Sequence, residues 1–308
     1  MPQLSLIIPC YNEARRIPQT LPRLAEYLAT LATPPAPTAP PAPPAPLAPL
    51  APLAPLALPA PPAPTAAATS ALAPTIPACA IRNPQSAIRI PAAPPEVLLV
   101  VEKSPDATLA LARDIAAARP GWRAIDTAAH RGKGAAVRAG MALAQGDLVC
   151  FMDADLSSDP AAIHDALALL ETRSEISIVA GDRRHPASLV TRNPGKTRPL
   201  FSRVFNLAAR ALFPRAIPTR DTQCGFKLFR AAAAREIFTR ARIDGFAFDV
   251  EIFVLARRLG LKAAFIPVRW TDAPHSTVRA LRDGARMLRD LLRLRVMKNP
   301  KSQSPNPK

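Results

Sequence analysis

The chain has 308 residues, 49% of them apolar, and its 40 Lys and Arg against 23 Asp and Glu give a formal charge of +17. That is enough apolar material for one large or two small cores, yet no uninterrupted apolar run reaches the ~20 residues of a membrane-spanning helix. The charge excess asks for an anionic partner or surface, while Cys10, Cys79, Cys150 and Cys224 lack any CxxC spacing, which argues for reduced thiols and against structural zinc.

LSLIIP, Leu4 to Pro9, is a short apolar run stopped by proline and predicts a buried strand. A helical pattern follows from Glu13 to about Leu31. From Thr33 to Pro95 the chain turns into an Ala/Pro tract holding 21 of the 38 prolines, with only Arg82 and Arg89 as charges and no aromatic residue. Proline fixes φ and removes donors, so this tract is expected to be a polyproline-II-like or disordered insertion. EVLLVVE (Glu96 to Glu102) predicts a second buried strand, and a helix is expected from Asp106 to Ala118. WRAID (Trp122 to Asp126) predicts a third strand, RGKGAAVRAGMALAQG a glycine-bearing turn and helix, and DLVCFMD a fourth strand. A helix from Ala161 to Glu171 and a strand ISIVAG (Ile176 to Gly181) come next. Strands alternating with helices at this spacing predict a mostly parallel sheet covered on both faces. Ligands of such sheets bind at the carboxyl ends of the strands, and PCYNE, EKS, DAD and GDR all fall there.

The stretch CFMDADLSSDP sets Asp153 and Asp155 two residues apart where a strand stops. Strand alternation would aim both the same way, and two close carboxylates repel unless a cation sits between them. The plainer reading is a turn in which one of them caps the next helix. PCYNE has its own plain reading, a strand-to-helix turn with Asn12 as N-cap. Arg183 to Arg220 carries nine Lys/Arg and no acid. It has neither the interleaved aromatics of a single-strand binder nor a DNA-binding motif, so nucleic acid is not the expected partner. Near the C-terminus, Leu281, Ala285, Leu288 and Leu292 recur at helical spacing among Arg279, Arg282, Arg286, Arg289 and Arg293. Such a basic amphipathic helix suits an anionic membrane surface, or packs on the domain with its arginines outward.

Taken together, LSLIIPCYNEARRIPQTL, RGKGAAVRAGMALAQGDLVCFMDADLSSDP, RDTQCGFKLF, FAFDVEIFVLARRLG and PVRW resemble the family 2 glycosyltransferases of GT-A fold, nearest the dolichyl-phosphate β-glucosyltransferase and polyprenyl-phosphate sugar synthase branch. The resemblance implies an inverting, metal-dependent transferase that moves a hexose, glucose from UDP-glucose, onto a polyprenyl phosphate, the alternative being transfer of mannose or another sugar to polyprenyl phosphate or to another lipid or glycan acceptor. It implies Mg²⁺ or Mn²⁺ at Asp153 and Asp155, with Asp155 the more direct ligand, and a uridine pocket from Pro9, Tyr11, Glu13 and Glu102. Lys133 is placed near the donor phosphates, where glycines and a helix N-terminus favour anions. Arg183, Arg198 and Ser202 fall at the acceptor phosphate, with Lys227 a further phosphate candidate. Asp249 matches a position that acts as a base in relatives; a phosphate acceptor needs none, so an N-cap or an orienter for Lys227 is the alternative. His275 lies in a stretch resembling a mobile donor-covering loop. The expected organisation is a catalytic domain of residues 1–32 and 96–270 interrupted by the insertion 33–95. An acceptor- and membrane-proximal loop and helix over 271–297 and a disordered tail over 298–308 complete it. With no basic leader or cleavage site read at the start, the expected location is cytoplasmic, peripheral at the membrane. A nucleic-acid binder and a scaffold built on the Pro/Ala tract are the rival readings, and the sequence is silent on oligomeric state.

Overall fold

Strand by strand, the alternation of side chains builds two cores. In β1 (Leu4–Cys10), Leu4, Leu6, Ile8 and Cys10 enter one core and Ile7 the other; in β2 (Glu96–Val101), Val97, Leu99 and Val101 join the first while Leu98 and Val100 join the second. The computed structural model describes residues 3–32, 94–191, 198–217, 219, 221–272 and 280–297, and only the backbone for 198–203 and 280–283. The expected insertion and tail, and His275, lie outside the described residues.

Helices α1 (Ile17–Ala32), α2 (Thr108–Ala117) and α4 (Ala162–Thr172) cover the first face. Helices α3 (Lys133–Leu143), α5 (Arg198–Leu212), α6 (Ala231–Arg240), α7 (Phe248–Arg258) and α8 (Ala280–Val296) cover the second. Between them runs a seven-stranded sheet in the order β3-β2-β1-β4-β7-β5-β8, where β3 is Trp122–Asp126, β4 Leu148–Met152, β5 Ile176–Asp182, β7 Phe226–Arg230 and β8 Lys262–Pro267. All pairings are parallel except those of β7, which runs antiparallel between β4 and β5. The short strands β6 (Leu189–Thr191) and β9 (Arg269–Thr271) pair separately, and Trp270 of β9 bridges to Ser158.

The reversed strand matters for the site. Because β7 starts where β4 and β5 end, Gly225 arrives at the carboxyl edge and its carbonyl accepts the Asp153 N–H at 3.2 Å. A Cβ on Gly225 would overlap the Asp153 carboxylate, so any larger residue there would displace that carboxylate.

Several sequence expectations are corrected at their boundaries. Helix α1 begins at Ile17 rather than Glu13, and Asn12 is no N-cap: it sits at φ 56°, with its N–H donating to Ser104 Oγ at 3.1 Å. In α8 the face turned to the core carries Leu291 and Leu294, with Met287 against them, while Leu288 and Leu292 of the predicted stripe remain exposed. Among the described residues no helix is long and apolar enough to cross a membrane.

Candidate active site

Strand β4 ends at Met152, so Asp153 and Asp155 lie in a turn rather than in strand alternation. The Leu156 N–H closes this turn on the Asp153 carbonyl at 3.0 Å, and the Ser157 N–H donates to Asp155 Oδ1 at 2.9 Å. Leu156 takes φ 49°, a left-handed conformation that costs a β-carbon residue about 1–3 kcal/mol and persists only where surroundings impose it. Neither aspartate caps α4, whose N-cap is Ala161; ahead of it Asp159 closes a local turn by accepting the Ala161 N–H at 2.9 Å.

Each carboxylate faces its own cation. Lys133 Nζ, from the first residue of α3, lies 2.5 Å from Asp153 Oδ1, and Arg16 Nη1 lies 3.4 Å from Asp155 Oδ2. Arg16 also grips Glu13, with Nη2 to Oε1 at 2.7 Å and Nε to Oε2 at 2.6 Å. Burial raises the Asp155 carboxyl above its ordinary range, and the Asp153 charge adds to it. Burial acts to lower the Lys133 ammonium, but Asp153 and Asp249 outweigh it and hold the ammonium above its ordinary value.

Burial pushes the Glu13 carboxyl up from 4.5 to about 7, with Asp155 and Asp153 adding to the rise against Arg16. A raised folded-state pKa means that the folded chain keeps a proton the unfolded chain has released. This group's contribution to stability is therefore present below the unfolded value and is lost as pH climbs through about 7. The metal-free protein should lose denaturation midpoint between about pH 5 and pH 8, and Glu13→Gln should flatten that loss. Equal slopes in both proteins would contradict the assignment.

Lys227 is placed beneath the site rather than in it. It is 1% exposed on β7, and its ammonium donates to the Thr222 carbonyl at 3.2 Å, the Cys224 carbonyl at 3.0 Å and Asp249 Oδ1 at 2.5 Å. All three protons are taken, which corrects its expected role at phosphate. Asp249, in the first turn of α7, is 2% exposed and pairs with Lys227; burial raises its carboxyl, with Lys227 and Lys133 opposing. Both Lys227 and Lys133 lie over the Phe151 ring, at 5.2 and 6.0 Å from its centroid.

Arg183, just after β5, makes a two-pronged bond with Asp221: Nε to Oδ2 and Nη2 to Oδ1, both 2.7 Å. Its backbone N–H donates to the same carboxylate at 3.0 Å, and its guanidinium lies over Trp270 at 5.3 Å. Burial opposes ionisation of Asp221, but Arg183 prevails and holds it below the usual carboxylate range. Arg198 and Ser202 fall on the first turns of α5, on backbone alone.

At the other end of the edge, Pro9 pairs with Val100, and the Tyr11 ring stacks on His130 with centroids 3.8 Å apart and planes 11° from parallel. Glu102 is 3% exposed and its oxygens meet protein donors: Oε1 takes the Arg131 and Gly132 N–H groups at 2.7 Å each, and Oε2 lies 3.0 Å from His130 Nδ1. Gly132 turns the chain at φ 130°, and a Cβ there would press on the Asp244 carbonyl. Sequence reasoning missed Arg16, His130 and Asp221. Asp221 had a signal, an acid closing a block of nine cations.

Over residues 80–238, just over half of the chain, the sequence matches the family described as Glycosyl transferase family 2. The chain belongs to glycosyltransferase family 2. This family 2 chain is 31% identical over 207 residues to the dolichyl-phosphate beta-glucosyltransferase of Dictyostelium discoideum, a match covering 65% of this chain and 62% of that one. It is 34% identical over 208 residues to the Drosophila melanogaster protein of the same name, covering 65% and 63%. The matched part thus spans less than two thirds of these relatives. Among solved structures, glucosyl-3-phosphoglycerate synthase from Mycobacterium tuberculosis, in complex with Mn²⁺, UDP and phosphoglyceric acid, superposes with a TM-score of 0.56 at 15% identity over 97% of this chain and 80% of that one. Mannosyl-3-phosphoglycerate synthase from Rubrobacter xylanophilus gives 0.53 at 15% identity, over 96% and 73%. At this identity the likeness shows the shared fold, the GT-A arrangement expected from the sequence.

Proposed function

We propose that this family 2 chain is an inverting glycosyltransferase that moves glucose from UDP-glucose to a polyprenyl phosphate. The observation that carries the chemistry is the turn at Asp153 and Asp155 facing Lys133 at the N-terminus of α3, which sets paired hard oxygens and a mobile cation at one sheet edge. The sugar and the lipid acceptor rest on the dolichyl-phosphate glucosyltransferases that the chain resembles at 31–34% identity.

A divalent ion fits this donor set. Among the described residues no three metal-ligating side chains converge. Two carboxylates alone make the partial site that Mg²⁺ or Mn²⁺ fills together with substrate phosphates and waters. When bound, the ion supplies Lewis-acid stabilisation to the departing diphosphate. Asp155 and Asp153 would hold it, releasing Arg16 and Lys133; Lys133 is then free to meet the diphosphate beside the α3 amides. Tyr11 offers its ring to the uracil, and Glu13 accepts from the ribose. Asp249 is not asked to act as a base, since it is held by Lys227 and a phosphate oxygen attacks the anomeric carbon already charged.

The acceptor side is assigned to Arg183 with Arg198 and Ser202. Asp221 takes Nε and Nη2 of Arg183, which fixes the plane of the fork and leaves Nη1 for a phosphate oxygen. Arg183→Ala should weaken the use of polyprenyl phosphate by about tenfold to a hundredfold, the worth of one charge-assisted contact, with UDP affinity unchanged. Arg183→Lys should rescue only partly, because an ammonium lacks the fork. The check is paired titration, UDP by calorimetry and acceptor by initial rate; equal losses in both would move Arg183 to the donor site.

The membrane surface enters through α8. Leu288, Leu292 and Val296 are 46, 53 and 77% exposed, and Arg286, Arg289, Arg293 and Arg295 lie on the same solvent side. An apolar strip flanked by arginines suits the headgroup region of an anionic bilayer, where a polyprenyl acceptor resides.

A further inference from the structure

We infer that Arg16 couples metal binding to donor binding: in the empty site it stands as a resident cation on Asp155 and keeps a divalent ion out until a nucleoside diphosphate arrives. The inference rests on the donor reading above and gives a part to a residue that reading only displaces. Of the Asp155 oxygens, Oδ1 accepts the Ser157 N–H at 2.9 Å and Oδ2 faces Arg16 Nη1 at 3.4 Å, so the ion and the guanidinium contend for the same oxygen. A guanidinium cannot yield by shedding its proton; it yields by moving. Its contacts are graded for that. Glu13 holds it through Nε at 2.6 Å and Nη2 at 2.7 Å, while the prong on Asp155 is the long one. Arg16 can therefore let go of Asp155 and stay anchored. Its backbone is fixed as well, since the Gln19 and Thr20 N–H groups donate to its carbonyl at 2.9 and 3.0 Å. With the side chain 14% exposed, salt and water screen its charge little. Asp153 is covered in the same way by Lys133, 2.5 Å from Oδ1. An ion arriving alone must displace two cations and then lie beside both. A diphosphate changes that balance, because it brings negative charge of its own and offers Lys133 another partner.

Two titrations of the full chain test this: Mn²⁺ alone, with the free ion counted by electron paramagnetic resonance, and UDP by calorimetry with and without Mn²⁺. Arg16→Gln removes the charge and keeps a donor for Glu13. It should bind Mn²⁺ alone on the order of tenfold more tightly than the wild type. Because coupling is reciprocal, the gain in affinity that UDP draws from Mn²⁺ should fall by a like factor. Arg16→Lys keeps the charge and should stay close to the wild type in both titrations. A residue that only props the turn would behave otherwise, its loss weakening Mn²⁺ rather than tightening it. That result, or equal Mn²⁺ affinity in the wild type and Arg16→Gln, overturns the role of Arg16 while leaving the transferase reading intact. Wild-type affinity for UDP that does not change with Mn²⁺ overturns it without any variant. Wild-type protein that binds no UDP, with or without Mn²⁺, refutes the donor reading itself, and this inference with it.

Discussion

Asp155→Asn should give a folded protein with turnover reduced on the order of a hundredfold to a thousandfold, the scale of losing one preorganised group that stabilises developing charge. Asparagine keeps the volume and an oxygen to accept the Ser157 N–H, so the turn that Asp155 closes survives. What disappears is a charge that burial and Asp153 already disfavour, and its removal should leave stability unchanged or slightly raised. Arg16 retains its two bonds to Glu13. The loss should therefore appear in metal-dependent donor binding and in rate, with a normal melting curve. Near-normal turnover at limiting Mg²⁺ or Mn²⁺ would remove Asp155 from the metal site. Asp153→Asn should be damaging by a second route, since it also frees Lys133 from its partner.

Lys227→Met should cost about 3–5 kcal/mol, because it leaves Asp249 charged and unpaired at 2% exposure. The double variant Lys227→Met with Asp249→Leu should recover most of that loss, since two well-packed apolar side chains replace a buried ion pair at little net cost. Turnover should not recover with it. The ammonium also ties the Thr222 and Cys224 carbonyls, and the next residue, Gly225, holds the Asp153 N–H. Urea denaturation and initial rates on the three proteins separate the effects. A double variant restored in both stability and rate would make the pair a packing element with no hold on the carboxylate turn.

Much of this arrangement is legible in the sequence for a local reason. Alternating strands and helices of ordinary length force a mostly parallel sheet, and a ligand edge then follows without knowledge of any contact. The carboxylate turn was visible because its two acids are neighbours in the chain. Strand β7 was not, because its partners β4 and β5 lie far upstream, and the turn signal in the basic block before it, Asn193-Pro194-Gly195, stands about thirty residues ahead of the strand and says nothing of its direction. Arg16 escaped for the same reason: it reads as a residue opening a helix, and its tie to Asp155 joins positions 139 apart. In α8 the arginine spacing was clear but the buried stripe was misplaced, since Leu288, Leu291, Leu292 and Leu294 offer more than one apolar face and tertiary packing chooses among them.

The most direct test of the transferase claim is incubation of the full chain with UDP-[³H]glucose, Mg²⁺ or Mn²⁺, and polyprenyl phosphate in anionic vesicles, followed by extraction of the lipid. The account predicts label in the organic phase as a hexosyl phosphoryl lipid, released by mild acid, and abolished by chelator and by Asp155→Asn. Label that stays aqueous, while the protein binds UDP and the vesicles, would contradict it.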